Sequence, residues 1–175
     1  LALVRAEEGN EELAISEELG GGLPMCPTDA TMINQVIMNL VRNAVQAVSS
    51  GVGIDHIQDN GVAIGRIKIS TRRSRMQGQL VRGRPAIEIS VTDNGPGIAK
   101  DDIDKLFIPF FTTKSGGTGL GLPICQRIIR AHEGEVEVSS RLGSGARFTI
   151  RLPVSNSFSP TPKKARKRGN NSRSN

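Results

Sequence analysis

The residues best suited to chemistry lie between Asp93 and Leu122, in DNGPGIAKDDIDKLFIPFFTTKSGGTGLGL. Asp93 ends an alternating apolar run, Ala86-Ile-Glu-Ile-Ser-Val-Thr-Asp. Residues two apart in a strand share a face, so Ile87, Ile89, Val91 and Asp93 point the same way. Three of these belong in a core, and the fourth is a carboxylate. Leaving a buried polar group unpaired costs roughly 2–7 kcal/mol, so Asp93 is expected to receive a donor from outside the chain. Gly95 and Gly97 flank Pro96 in a tight turn where backbone can approach a ligand closely. At the far end, Gly116-Gly-Thr-Gly-Leu-Gly-Leu runs into a second apolar segment. Such a loop feeding a helix offers free N–H groups and the positive end of the helix dipole to a phosphate. An acid that reads an amine and a loop that cradles phosphate together point to a nucleotide. Each also has a plainer reading, since Asp-Asn-Gly is ordinary turn chemistry and a lone glycine-rich segment is often a flexible loop.

A second pair of polar residues precedes these. Asn39 and Asn43 lie four apart and so stack on one side of a helix. They sit at the border of its apolar stripe, although Asn is a poor choice inside a helix. Amide oxygens can ligand a hard cation such as Mg²⁺. Gln46 extends the same side and could reach phosphate oxygens, with a solvated glutamine as the plainer alternative.

These residues need elements to position them. Pro27-Thr-Asp opens a helix with Thr28 or Asp29 as N-cap. Its apolar face is Ile33, Val36, Ile37, Leu40, Val41, Ala44, Val45 and Val48. Before it, residues 1–9 read as the helical end of something upstream, and Glu12–Leu19 as a short edge strand. The stretch 52–65 has no clear period and reads as a loop. Arg66–Arg73 and Ala86–Asp93 alternate as two strands with a long polar joint. Ala99–Lys105 is expected to form a short helix capped by Asp101 or Asp102, followed by Phe107-Ile-Pro-Phe-Phe. A second helix spans Leu120–Ala131, with Leu120, Ile124, Ile128 and Ala131 on one side and Gly134 placed to end it. Glu135–Ser140 and Arg147–Leu152 complete the pattern as strands, with Val136, Val138, Phe148, Ile150 and Leu152 facing in. The order predicts an α/β two-layer sandwich, a mixed, mostly antiparallel sheet with helices on one face.

The 175 residues suit one domain, residues 12–153, between the upstream segment 1–11 and the tail 154–175. Six of the 23 basic residues, Lys163, Lys164, Arg166, Lys167, Arg168 and Arg173, sit in that tail, leaving 17 against 17 acids in the body. The net charge of +6 therefore belongs to a Ser-, Pro- and Asn-rich segment that reads as disordered. It could touch nucleic acid or anionic lipid, but a solvated terminus is the favoured reading. A neutral body with no Trp or Tyr to stack bases argues against a nucleic-acid partner. No apolar run approaches the ~20 residues that span a bilayer. The chain begins with Leu1, which leaves an upstream membrane segment open. Cys26 and Cys125 fit no metal spacing and read as reduced thiols.

Taken together, the boxes resemble the catalytic ATP-binding domain of sensor histidine kinases, in the superfamily that includes gyrase, MutL and a heat-shock chaperone ATPase. Asn39-Leu-Val-Arg-Asn-Ala resembles the N box and Asp93-Asn-Gly-Pro-Gly-Ile the G1 box. Phe107-Ile-Pro-Phe-Phe is similar to the F box, and Gly117-Thr-Gly-Leu-Gly-Leu to the G2 box. Gly143-Ser-Gly-Ala-Arg-Phe-Thr-Ile-Arg-Leu-Pro resembles the closing hairpin, and the wording is nearest the nitrogen-regulation and oxygen-sensing branch. The resemblance implies that Asp93 accepts from the adenine amino group, with Gly95, Gly97 and Ile98 lining the base. It implies Asn43 on Mg²⁺, Asn39 and Gln46 beside the phosphates, and Lys114 reaching the γ-phosphate from a mobile lid, residues 99–117. Gly117, Thr118, Gly119, Leu120, Gly121 and Leu122 would wrap the phosphates, and Thr149 would support Asp93 through a water. Ala146 stands where many relatives have Thr. Asn39 stands where water-activating relatives carry a glutamate, so a histidine nucleophile is expected. Neither His56 nor His132 has the acceptor pattern, which places that histidine on a separate dimerisation domain. A downstream response regulator and a cytoplasmic location, conceivably below a membrane sensor, are implied too. A nucleotide-binding regulatory module or an anti-sigma-type serine kinase of the same superfamily is the alternative.

Overall fold

The computed structural model describes residues 2–5, 12–51, 64–114 and 117–154. Six strands form one mixed sheet in the order β1-β2-β3-β4-β6-β5. They are β1 (Ala2–Arg5), β2 (Glu12–Leu19), β3 (Ile64–Arg75), β4 (Pro85–Asp93), β5 (Glu135–Ser140) and β6 (Ala146–Pro153). Only β2 and β3 pair in parallel; the other neighbours are antiparallel. Three helices accompany them: α1 (Ala30–Ser49), α2 (Lys100–Ile103) and α3 (Gly121–Ala131).

The helix α1 starts where its cap chemistry says it should. Asp29 is the N-cap, and its Oδ1 accepts from the N–H groups of Thr31 and Met32 at 2.8 and 3.2 Å. Ile33, Val36, Leu40, Ala44 and Val48 are buried along one stripe. Full burial of each larger apolar side chain stabilises by roughly 1.5–3 kcal/mol. They meet Ile67 of β3, Val91 of β4, Phe148, Ile150 and Leu152 of β6, and Cys125, Ile128 and Ile129 of α3 in one core. That core fills one face of the sheet, giving the expected two layers.

Several boundaries differ from the sequence reading. Residues 2–5 form a strand, not a helix, and pair with β2, so β2 is not an edge. The sheet extends β3 back to Ile64, while 52–63 and the tail from 155 lie outside the described residues. Asp101 and Asp102 sit inside the first turn of α2, and Ala99 is its N-cap without a side-chain hydrogen bond. In α3 the buried stripe is Cys125, Ile128 and Ile129, and Ala131 is exposed. The helix ends in a Schellman pattern whose left-handed residue is Glu133, φ 54°, not Gly134. Gly134 N–H donates to the Ile129 carbonyl at 2.8 Å. A Cβ at Gly134 would lie 2.7 Å from the Arg151 carbonyl oxygen, so close approach is what requires this glycine.

Candidate nucleotide-binding site

Asp93 ends β4 on the core face, as its alternation requires, and is 6 % exposed. It is not without internal partners, contrary to expectation. Its Oδ1 accepts from Gly95 N–H at 3.0 Å and from Ala146 N–H at 3.3 Å. Burial raises its pKa above the ordinary aspartate value; the two N–H groups and the Lys114 charge pull it back down. One carboxylate oxygen is therefore anchored, and the other is left for a donor. Gly95 lies against α1, where a Cβ would sit 3.0 Å from Ala47 Cβ. Gly97 has φ 74°, and a Cβ there would meet the Arg141 carbonyl oxygen at 2.1 Å. Ile98 N–H donates to Ser140 Oγ at 2.9 Å, and Ser140 donates on to the Gly145 carbonyl at 2.7 Å. The β5–β6 hairpin thus clamps the Asp93–Ile98 loop, a role no motif in either hairpin strand announced.

The segment before the glycine loop brings the distant segments together. Lys114 Nζ donates to Gln46 Oε1 at 3.1 Å and to the Asn43 backbone carbonyl at 3.4 Å. Desolvation lowers its pKa, and the charge of Asp93 raises it again. That segment, α1 and β4 therefore converge on one ammonium group. Asn39 and Asn43 are both half-buried on α1. The Asn39 carboxamide lies beside the Cys125 thiol of α3, which donates to the Val36 carbonyl at 3.9 Å, whereas no described residue bonds the Asn43 carboxamide. Among the described residues no cluster of three His, Cys, Asp or Glu side chains could hold a metal.

The glycine loop is folded on the aromatic segment before it. Phe110 N–H donates to the Gly119 carbonyl at 3.1 Å. A Cβ on Gly119, φ 66°, would lie 2.4 Å from the Phe110 carbonyl carbon. Gly117 N–H donates to the Lys114 carbonyl at 3.2 Å, and Leu120 N–H to Thr118 Oγ1 at 3.4 Å. These two amides have protein partners here. Beyond them α3 begins at Gly121 with no side-chain cap, so the first-turn amides of Gly121 and Leu122 are open. A Cβ at Gly121 would meet nothing within 4 Å.

The strand register sets Thr149 apart from Asp93. The threonine pairs with Ser90, whereas Asp93 pairs with Ala146, so Thr149 faces the other side of the sheet. An odd separation along a strand reverses the face. The residue beside Asp93 is Ala146, through its N–H.

A two-layer α/β fold whose polar groups gather between a long helix, a strand end and a glycine-rich helix entry is laid out as a nucleotide-binding domain. Residues 28–156 match the family of Histidine kinase-, DNA gyrase B-, and HSP90-like ATPases, and the chain belongs to that family. Its curated relatives are sensor histidine kinases. The sensor histidine kinase ZraS of Escherichia coli K12 is 34 % identical over 88 % of this chain and 28 % of its own length. AtoS of the same strain is 38 % identical over 88 % of this chain and 22 % of its own. The sensory histidine kinase/phosphatase NtrB of Vibrio alginolyticus is 36 % identical over 84 % and 39 %. The chain thus spans well under half the length of these relatives. Among solved structures, the catalytic domain of histidine kinase ThkA superposes with a TM-score of 0.56 at 33 % identity, covering 81 % of this chain and 78 % of that one. Among the described residues no helix is long and apolar enough to cross a membrane.

Proposed function

We propose that this chain binds Mg·ATP and presents its γ-phosphoryl to a histidine on a dimerisation domain, as the catalytic part of a sensor histidine kinase. The carrying observation is the convergence of Gln46, Asn43 and Asp93, from two sequence-distant segments, on the Lys114 ammonium of a third. Asp93, anchored through one oxygen, reads the adenine amino group with the other, which selects ATP over GTP. Gly95, Gly97 and Ile98 line the base. Lys114 leaves Gln46 for the γ-phosphate, while the N–H groups of Gly121 and Leu122 meet the phosphates at the positive end of α3. Gly117 to Leu120 rearrange around them.

The donor set fits a magnesium ion that arrives with the nucleotide: a free, half-buried carboxamide at Asn43 and no acidic cluster. Bound Mg²⁺ would neutralise phosphate charge. Asn39, half-buried on α1 one turn before Asn43, sits beside the phosphates. A response regulator downstream and a cytoplasmic setting follow from the kinds of protein the chain resembles. Calorimetry with Mg·ATP tests the site. Asn43→Ala should remove the magnesium-dependent part of the affinity and leave the EDTA value nearly unchanged. Equal Mg·ATP affinity in Asn43→Ala and the parent would place the metal elsewhere.

A further inference from the structure

We infer that the end of the sheet opposite the nucleotide cleft is a docking surface for an anionic phospholipid bilayer, made by the β3–β4 joint, the β2–α1 loop and the start of the tail. Eight residues of β4 separate Pro85 from Asp93, roughly 27 Å at 3.4 Å per residue, so this surface is remote from the cleft.

The charge comes first. Arg72, Arg73, Arg75, Arg82 and Arg84 fall within thirteen positions that contain no acid. Arg72 is matched by Glu88, and Arg84 by Glu133 at 3.3 Å. Arg73 and Arg75 donate instead to the carbonyls of Gly22 at 2.5 Å and Gly83 at 2.7 Å, which fixes them without neutralising them. Arg82 is exposed and has no ion pair among the described residues. Of the nearby acids, Glu18 pairs with Lys68, while Glu135 accepts from Gln77 and Gly78 N–H and keeps its charge, so it offsets one of the three unpaired arginines. Glu17, exposed on β2, is the remaining one.

Apolar exposure coincides with that charge. Leu80 at the tip is 101 % exposed, Met25 87 % and Leu19 62 %. They are not frayed positions. Met76 is buried beneath the tip, its N–H bonds the Arg84 carbonyl, and its own carbonyl accepts from Gly83 N–H. Leu19 pairs with Thr71, and Gly22 meets Arg73, so β2 and the following loop share this end. A cavity of about 480 Å³ opens there between Pro24, Arg73, Arg75, Pro85 and Val154, large enough for a phosphate headgroup. Val154 N–H bonds the Pro85 carbonyl, which puts the last described residue at this spot, and six further basic residues follow it in the sequence. Exposed leucine and methionine side chains among unneutralised arginines suit an interface with apolar depth beneath phosphates. A nucleic acid offers phosphates but no apolar layer, and the chain has no Trp or Tyr to stack on bases.

Co-sedimentation of the full chain with vesicles tests this. Binding is expected to mixed phosphatidylserine–phosphatidylcholine vesicles, to fade with salt, and to be absent with phosphatidylcholine alone. Arg75→Glu with Arg82→Glu should weaken it at least about tenfold, at roughly one kcal/mol per basic residue. Leu80→Ser should weaken it several-fold without changing the salt dependence, and replacing the five basic residues from Lys163 to Arg168 by Gln should leave the hairpin contribution measurable. Unchanged ATP affinity in each variant certifies the fold. Equal binding by the arginine variants, equal binding to neutral vesicles, or displacement of vesicle-bound protein by short duplex DNA would each overturn the proposal.

Discussion

At Asp93 two hydrogen bonds and one charge decide between stability and binding. Its carboxyl titrates above the ordinary aspartate value, because burial outweighs Gly95, Ala146 and Lys114. A raised acid stabilises the fold in its protonated form, fully below the unfolded pKa, and loses that contribution as pH rises through the folded value. At neutral pH the ionised group therefore works against the apo fold. Asp93→Asn keeps an acceptor for both N–H groups and removes the buried charge. The apo variant is expected to melt at the same temperature as the parent or higher. Its affinity for ATP should fall by about ten- to a hundredfold, since an amide donor facing the adenine amino group leaves both unpaired, at about 1–3 kcal/mol. Calorimetry beside thermal melts checks both signs at once.

Glu88 carries the opposite balance on the other face of the sheet. Burial pushes its pKa up, but hydrogen bonds from Arg72 and Ser74 and the charges of Arg72 and Arg151 together hold it below the ordinary value. Arg151 Nε lies 3.1 Å from it, and Arg151 Nη1 holds Glu137 at 2.7 Å. A depressed carboxyl contributes stability above its unfolded pKa and loses it as pH falls through the folded value. Glu88→Gln should cost about 2–3 kcal/mol at neutral pH, below the 3–5 of a fully buried broken pair because Arg72 stays solvated. That difference should vanish in acid, where parent and variant denaturation curves converge.

Between elements, the glycines of the hairpin set how closely β6 approaches β4. Gly145 has φ 83°, and a Cβ there would lie 2.1 Å from the Asp93 carbonyl oxygen. An L-residue in that region costs roughly 1–2 kcal/mol before any clash. Gly145→Ala is therefore expected to lose at least about 2 kcal/mol in urea denaturation. ATP affinity should fall with it, because the Ala146 N–H that anchors Asp93 moves away. Wild-type affinity in a destabilised variant would show that the anchor and the clamp are separable. What was legible at this scale was periodic. The stripe of α1 and the alternation that put Asp93 on the core face are local patterns, and both are in the structure. The pairing of residues 2–5 with β2 was not legible, because four residues carry too little period and the partner supplies the hydrogen bonds. The ion pairs of Glu88 were not legible either, because only strand pairing brings Arg72 and Arg151 over it. Thr149 failed for want of a register. Its place beside Ser90 follows from how β6 pairs, which the motif wording does not contain. Lys114 was legible as a basic lid residue, but not its bonds to Gln46 and Asn43, which span about seventy residues of sequence.

On the scale of the whole molecule, the site has a nucleotide layout, but among the described residues no histidine lies beside it. His132 is the described histidine, and it lies at the far end of α3, about 16 Å along the helix from the glycine loop at 1.5 Å per residue. Both of its nitrogens are engaged. Nδ1 donates to the Ile128 carbonyl at 2.8 Å, which leaves Nε2 as the acceptor for Asp29 N–H at 3.1 Å. A lone pair that receives a backbone N–H at the cap of α1 is not free to attack phosphorus. At the other position where attack could be organised, Asn39 offers an amide rather than a carboxylate that could take a proton from water. General-base assistance is typically worth 10²–10⁴-fold, so its loss alone makes hydrolysis slow. The isolated chain should bind ATP, release little phosphate, and carry no acid-labile label after incubation with γ-labelled nucleotide. Asn39→Glu restores the type of group that activates water and should raise phosphate release. Acid-labile label on the chain itself would mean that a histidine of this domain reaches the phosphate after all.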